Sequence, residues 1–275
     1  MTASTPPSLN CCLLDYPVAI TAADPEGRAA LQAILGRFAD CAAPGERNRY
    51  ELARDEHGWR VTARGAATAS GMTLDDSLRT LEGLLVTDML VSRPDRFHLH
   101  GAALLSPSGD SSLLLLGDSG SGKTTLALAL MARGFLPYAD DVIVMEQDWC
   151  PLTFRRAFHI NSSTRTLLDA MRQPPSWKLE GFPSGYFVPQ IWAESKAPIR
   201  TILFPRLRPG SSPGAVHLSI PEAAVTLLPF SATLDRAPKV ALSAASRLTA
   251  QARCYALTSG DLDATVDLIA SLLPK

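Results

Sequence analysis

The chain has 275 residues, 46% of them apolar and 19% charged, with a formal net charge of −1. That is enough apolar material for one large or two small cores, and it excludes a charge-rich disordered chain. A net charge this close to zero gives no bulk electrostatic case for nucleic acid or an acidic membrane as partner.

Residues 1–10 are polar and Pro-containing and read as a loose tail. The opening segment lacks a charged and then apolar leader, and no window offers ~18 uninterrupted apolar residues, so the expectation is a soluble cytoplasmic protein. The five cysteines, Cys11, Cys12, Cys41, Cys150 and Cys254, form no CxxC pair. They are expected as free thiols, with Cys11 and Cys12 inside a strand. Val18 to Thr21 reads as a strand. Asp24-Pro25-Glu26 is a helix start, with a capping side chain and Pro at the first helical position. Leu31, Ile34, Leu35 and Phe38 continue it as an apolar stripe, until Ala42-Ala43-Pro44-Gly45 ends it. Tyr50 to Arg54 and Trp59 to Arg64 alternate around Asp55-Glu56-His57-Gly58, a hairpin pattern. Thr73 opens a second helix with Leu78, Leu81, Leu85 and Met89 on one face. Residues 1–92 are therefore expected to form a small α+β unit.

Residues 93–275 change character. Phe97 to Leu105 reads as a strand, Ser106 to Asp110 as a turn, and Leu113 to Leu116 as a strand buried on both faces. Gly117, Asp118, Ser119, Gly120, Ser121, Gly122, Lys123, Thr124 and Thr125 follow, and a helix through Leu126 to Met131 ends near Gly134. The spacing Gly117-x-x-x-x-Gly122-Lys123-Thr124 meets the phosphate-binding P-loop pattern. Glycines admit positive φ and let main-chain N–H groups approach an anion, and the helix start adds its positive dipole end. In that pattern Lys123 reaches the β/γ phosphates of ATP and the Thr124 hydroxyl ligates Mg²⁺.

Phe135 to Met145 reads as one further strand, interrupted by Asp140-Asp141. Successive strand side chains point to opposite faces, so these carboxylates act together only if the strand bends there. His98 and His100 share one face of their strand. They read as structural histidines, as two of the ligands of a metal, or as groups beside a phosphate. Ser163 to Met171 reads as a helix. Residues 171–192, scattered with Pro, Gly and aromatics, read as a loop over a site or a plain surface loop. Ile199 to Leu207 and Ala215 to Ile220 read as strands, Ala241 to Ala250 and Asp261 to Leu273 as helices, with a short strand at Tyr255 to Leu257.

His100-Gly101, the run 117–130, Arg133-Gly134 and Ala139-Asp140-Asp141 together resemble the HPr kinase/phosphorylase family and its relatives, which share a P-loop fold with phosphoenolpyruvate carboxykinases. Asp140 and Asp141 follow Lys123 by 17 and 18 residues, in agreement with that family's run. The resemblance is carried by residues 97–146. It implies an α/β, P-loop kinase domain of HPr kinase/PEP carboxykinase type at 93–275, and an ATP- and Mg²⁺-dependent kinase acting on a serine hydroxyl. It further implies Asp141 as general base, Asp140 and Thr124 toward the metal, Lys123 on phosphate, and His100 beside the transferred phosphoryl group. The family's downstream glycine-rich signature is not found. Residues 155–195 are rich in Pro and aromatics instead, so the resemblance does not extend to HPr as substrate, to reverse phosphorolysis or to a hexamer. The chain is more similar to the smaller HPr-kinase-like proteins, some of which modify serine in ribosomally made peptides. That implies a peptide or small-protein partner, with no nucleic acid and no membrane; a homo-oligomer stays open. A small-molecule kinase and a non-catalytic nucleotide-binding module are the alternatives. Arg155, Arg156, Arg165 and Lys178 are the basic candidates for a phosphate or substrate carboxylate, each also readable as a solvated charge.

Overall fold

The computed structural model describes residues 8–39, 47–170 and 185–274. They form a mixed α/β protein that divides into two compact units. One holds the described residues up to Pro94 together with 185–188; the other holds 95–170 and 189–274.

The first unit is built on a five-stranded sheet of β1 (Ser8–Leu13), β2 (Tyr16–Thr21), β3 (Asn48–Asp55), β4 (Gly58–Ala63) and β5 (Ala66–Met72), paired in that order. Only β2 and β3 are parallel. Helix α1 (Pro25–Leu35) starts where the side chain of Asp24 accepts hydrogen bonds from the N–H groups of Glu26 and Gly27. Helix α2 (Leu74–Ser92) buries Leu78, Leu81, Leu85 and Met89. Three expectations shift here. Residues 8–10 belong to β1 rather than to a tail. Strand β5 has no apolar alternation to announce it, and it follows a turn with positive φ at Arg64 and Gly65. That is the primed hairpin geometry, reached through Arg-Gly where Asn-Gly is the usual signal. Cys12 is disulfide-bonded, against the expectation of free thiols throughout, while Cys11, Cys150 and Cys254 are free. The helix break at 42–45 and residues 171–184 of the loop expected over 171–192 lie outside the described residues, and the rest of that loop includes a two-residue strand at Tyr186–Phe187.

The second unit begins with β6 (Phe97–Leu105), β7 (Ser112–Leu116), α3 (Lys123–Ala132), β8 (Leu136–Ala139), β9 (Val142–Met145), the two-residue β10 (Phe158–His159) and α4 (Ser162–Ala170). After β11 (Tyr186–Phe187), which groups with the first unit, come β12 (Ile199–Leu207), β13 (Gly214–His217), α5 (Ile220–Leu227), α6 (Pro238–Gln251), β14 (Arg253–Ser259) and α7 (Leu262–Leu272). Its seven-stranded sheet runs β13-β14-β12-β7-β6-β8, with β9 also on β6. Strands β7, β12 and β14 are mutually parallel, and β6, β8, β9 and β13 run against their partners. The four leucines of β7 have no exposed surface, as a strand covered on both faces requires. Burying each contributes roughly 1.5–3 kcal/mol.

The one long strand expected over 135–145 is two strands. β8 pairs with Ala103 to Leu105, β9 with Phe97 to His100, and the chain breaks between them at Asp140-Asp141. Asp141 has φ +69° and its carbonyl accepts from the N–H of Gly101 at 3.3 Å. The strand expected to run to Ile220 stops at His217, and α5 begins instead. The Ser219-Ile220-Pro221-Glu222 start is a capping box, with Glu222 Oε2 accepting from the N–H of Ser219 at 2.9 Å.

Gly101 sits where β6 meets both β7 and the break. A Cβ there would lie 2.4 Å from the Leu115 carbonyl oxygen and 2.6 Å from Leu116 Cδ2. Gly101→Ala is expected to lower stability by about 1–3 kcal/mol through overpacking, read as a lower midpoint in urea unfolding. An unchanged midpoint would show that the two strands can separate freely at this point.

Candidate functional site

The loop between β7 and α3 closes on itself. Gly117 leaves little room for a side chain: a Cβ would lie 2.8 Å from Ser121 Oγ and 3.3 Å from the Pro205 carbonyl oxygen, and one of them would have to shift. Gly120 and Gly122 have φ +80° and +91°, and a Cβ on either would meet nothing within 4 Å. Backbone conformation, rather than crowding, therefore demands glycine at these two positions, and the space over the loop is open to an incoming group. Lys123 is nearly buried. Its ammonium donates to the carbonyls of Gly117 at 2.7 Å and Asp118 at 3.0 Å. Burial lowers its pKa, and Asp140, Asp141 and Asp118 oppose that shift.

The break between β8 and β9 delivers the two carboxylates to this loop. Asp140 is 3% exposed and its Oδ2 accepts from the Thr124 hydroxyl at 3.0 Å. Burial, then the neighbouring Asp141 charge, pushes its carboxyl up to about 6, against the pull of Thr124, Arg156 and Lys123. Asp141 faces another way and is half exposed. Its Oδ1 lies 3.2 Å from His100 Nδ1, and its Oδ2 accepts from Arg156 at 2.5 Å. His100, overcoming the opposing effect of burial, holds this carboxyl well below the ordinary carboxylate range, with Arg156 adding to it. Two neighbouring aspartates are thus driven in opposite directions by their surroundings.

These groups line one cleft of about 1070 Å³. Of the residues selected from the sequence, Ser119, Gly120, Gly122, Lys123, Thr124, Thr125, His100, Asp140 and Asp141 border it. Gly117, Asp118 and Ser121 do not. They support the loop: Asp118 through its carbonyl, which accepts from Lys123 and from the Ser121 N–H at 3.2 Å. Thr125 is tied to α4 by a 3.0 Å hydroxyl contact with Thr164. Thr124 and Asp140 offer hard oxygen donors of the kind Mg²⁺ takes from a protein, the remaining positions being water or phosphate oxygens. Among the described residues, no group of three or more His, Cys, Asp and Glu side chains gathers to hold a metal unaided.

Arg156 is the basic candidate that reaches the site. It is buried, and besides Asp141 it approaches His159 Nε2 at 3.4 Å. Arg155 instead pairs with Glu194 at 3.7 Å, Arg165 does not border the cleft, and Lys178 lies outside the described residues. The sequence reading missed the far end of the cleft, formed by Leu207 and the run Ser259 to Asp263. The available signal was positional: Gly260-Asp261 joins the carboxyl end of β14 to the cap of α7, the place where open α/β sheets bind ligands.

His98 does not join His100. It is 6% exposed, its Nε2 has no hydrogen-bond partner, and burial, with Arg96 and Arg236, pushes its pKa down to about 4. A folded pKa below the ordinary 6.5 means the unfolded chain binds the proton more tightly. The stability contributed by neutral His98 is therefore complete above pH 6.5 and is lost as pH falls toward 4. Across that window the wild type is expected to lose about 3 kcal/mol relative to His98→Phe, compared by denaturant unfolding at each pH. The opposite contribution of Asp140 cancels in the comparison. Parallel pH dependences would refute the buried neutral state.

No protein-family model matches this chain, and no curated protein matches it in sequence.

Proposed function

We propose that the protein is an ATP- and Mg²⁺-dependent kinase that phosphorylates a serine hydroxyl of a peptide or small protein. The observation that carries this reading is the convergence, in one cleft, of Lys123 and Thr124 with Asp140, Asp141 and His100. The resemblance of residues 97–146 to HPr-kinase-like proteins supplies the serine acceptor.

When bound, ATP with Mg²⁺ supplies an electrophilic terminal phosphoryl group, which a serine oxygen takes as ADP leaves. Gly120 and Gly122 present backbone N–H groups to the phosphates, and Lys123 exchanges its two loop carbonyls for phosphate oxygens. Thr124 and Asp140 would hold the metal, and pairing with it would favour the ionised form of Asp140. Asp141 accepts the hydrogen bond of the serine hydroxyl, and then its proton, as the oxygen–phosphorus bond forms. A carboxylate of low basicity suits this task. In a loose transition state the attacking oxygen carries little new bonding, so its proton is released late. His100 and Arg156 keep Asp141 ionised and aimed. Most of the gain comes from positioning and charge neutralisation.

A small-molecule acceptor would use the same residues. A purely regulatory nucleotide-binding module is disfavoured by the 3.0 Å contact between Thr124 and Asp140, which directs that acid at the loop.

The test is incubation with γ-labelled ATP, Mg²⁺ and serine-containing peptides encoded beside the gene, with mass spectrometry to locate the phosphate. Lys123→Ala is expected to abolish ATP binding. Asp141→Asn is expected to cut transfer by roughly 10²–10⁴-fold while leaving ATP affinity nearly intact. Undiminished transfer by Asp141→Asn excludes the base assignment.

A further inference from the structure

We infer that His159 is a positioning residue for the proposed transfer. Its ring nitrogen holds the Arg156 guanidinium, and through it the Asp141 carboxylate, in the orientation that receives the serine hydroxyl. The inference rests on the kinase reading above and adds the residue that steadies its base.

The register of β10 puts His159 at the cleft. Successive residues of an extended segment point to opposite sides. Phe158 and Ile160 are buried, at 0% and 4% exposed, and Phe158 meets Trp192 edge-on with ring centroids 6.1 Å apart. The residue between them must face the other way, and His159, partly exposed, borders the cleft. Just beyond it Asn161 fixes the start of α4, its Oδ1 accepting from the Thr164 N–H at 2.8 Å. Two apolar anchors and a helix cap thus set the place of this imidazole.

The chemistry of the contact assigns its direction. A guanidinium only donates. Nη1 of Arg156 donates to Asp141 Oδ2, and Nη2 lies 3.4 Å from His159 Nε2. The ring nitrogen is therefore the acceptor, and a neutral ring must carry its proton on Nδ1. The guanidinium is planar, with its donors in a fixed fork. One contact leaves that plane free to turn about the bond. Two contacts on different arms fix it. The Arg156 side chain is 8% exposed, so little water competes for the second arm. Its backbone is pinned as well: the Arg156 N–H donates to the Phe154 carbonyl at 2.7 Å, and the Phe154 N–H to the Tyr138 carbonyl of β8 at 2.8 Å. His100 places one oxygen of Asp141, at 3.2 Å, and Arg156, steadied by His159, places the other.

The experiment compares wild type, His159→Leu and His159→Gln. Leucine cannot accept a hydrogen bond, whereas the glutamine amide oxygen can. His159 is not buried, so both variants are expected to fold, and thermal melting checks them. His159→Leu is expected to lower kcat for transfer about tenfold, the worth of one hydrogen bond to a charged group, with KM for ATP unchanged. His159→Gln is expected to restore most of that loss. Long-range proton–nitrogen NMR of the wild-type ring at mildly alkaline pH is expected to show the proton on Nδ1. Full transfer by His159→Leu overturns the inference, as do equal losses in both variants, a raised KM for ATP, or a proton on Nε2. A wild type without transfer overturns the kinase reading itself, while the position of the ring proton still decides the contact between His159 and Arg156.

Discussion

The chain break at Asp140-Asp141 is the constraint on which the site depends. Strand β6 offers one continuous edge from Phe97 to Leu105, and two short strands share it. Where they meet, the backbone turns through a left-handed residue, Asp141, whose carbonyl bonds the Gly101 N–H. A non-glycine residue at positive φ costs energy, and the surrounding structure must over-determine it. Here the sheet holds both flanks, and His100 and Arg156 hold the side chain. In an unbroken strand the two acids would point to opposite faces. The turn instead lets Asp140 meet Thr124 and Asp141 meet His100.

The electrostatics follow from that geometry. Asp140 is buried beside the Asp141 charge, which disfavours its charged form against the pull of Thr124, Arg156 and Lys123. Asp141, one residue on, is half exposed and held by His100 and by the Arg156 guanidinium, so it stays charged. The lysine is likewise occupied, by its own loop carbonyls, before any phosphate is present. The side chains of Lys123, Thr124, Asp140 and Asp141 thus all start with an internal hydrogen bond or ion pair. Ligand binding exchanges partners rather than filling empty donors, which limits the cost of keeping such a site folded without ligand.

Helix starts were legible: Asp24 caps α1 as read, and the helices expected to open at Thr73 and Asp261 begin one residue later, with those two side chains as caps. So were the long apolar strands β6, β7 and β12, whose composition leaves few alternatives. Strand β5 was not, because its small residues carry no alternation and its turn uses Arg-Gly. Helix α5 was hidden because the apolar positions before Ser219 continue in strand-like alternation, although the Ser-x-x-Glu cap was there to be read. At the site, the glycine loop and both aspartates could be selected by spacing. Arg156 could be named only as one basic residue among four, and the end formed by Leu207 and Leu262 carries no motif at all.

The division has a physical basis. Glycine spacing, helix caps and apolar runs are local, and backbone sterics act within a few residues, so sequence alone determined that a strand, a glycine loop and a helix follow one another at 113–132 and that two carboxylates interrupt the next apolar run. Where those carboxylates point depends on a register between β6, β8 and β9, on a left-handed turn held by partners 15 and 41 residues distant in sequence, and on which buried group each oxygen meets. Those are long-range contacts. Only the tertiary structure decides them, because only the packed sheet sets the dielectric and the neighbours that drive two adjacent, chemically identical side chains apart.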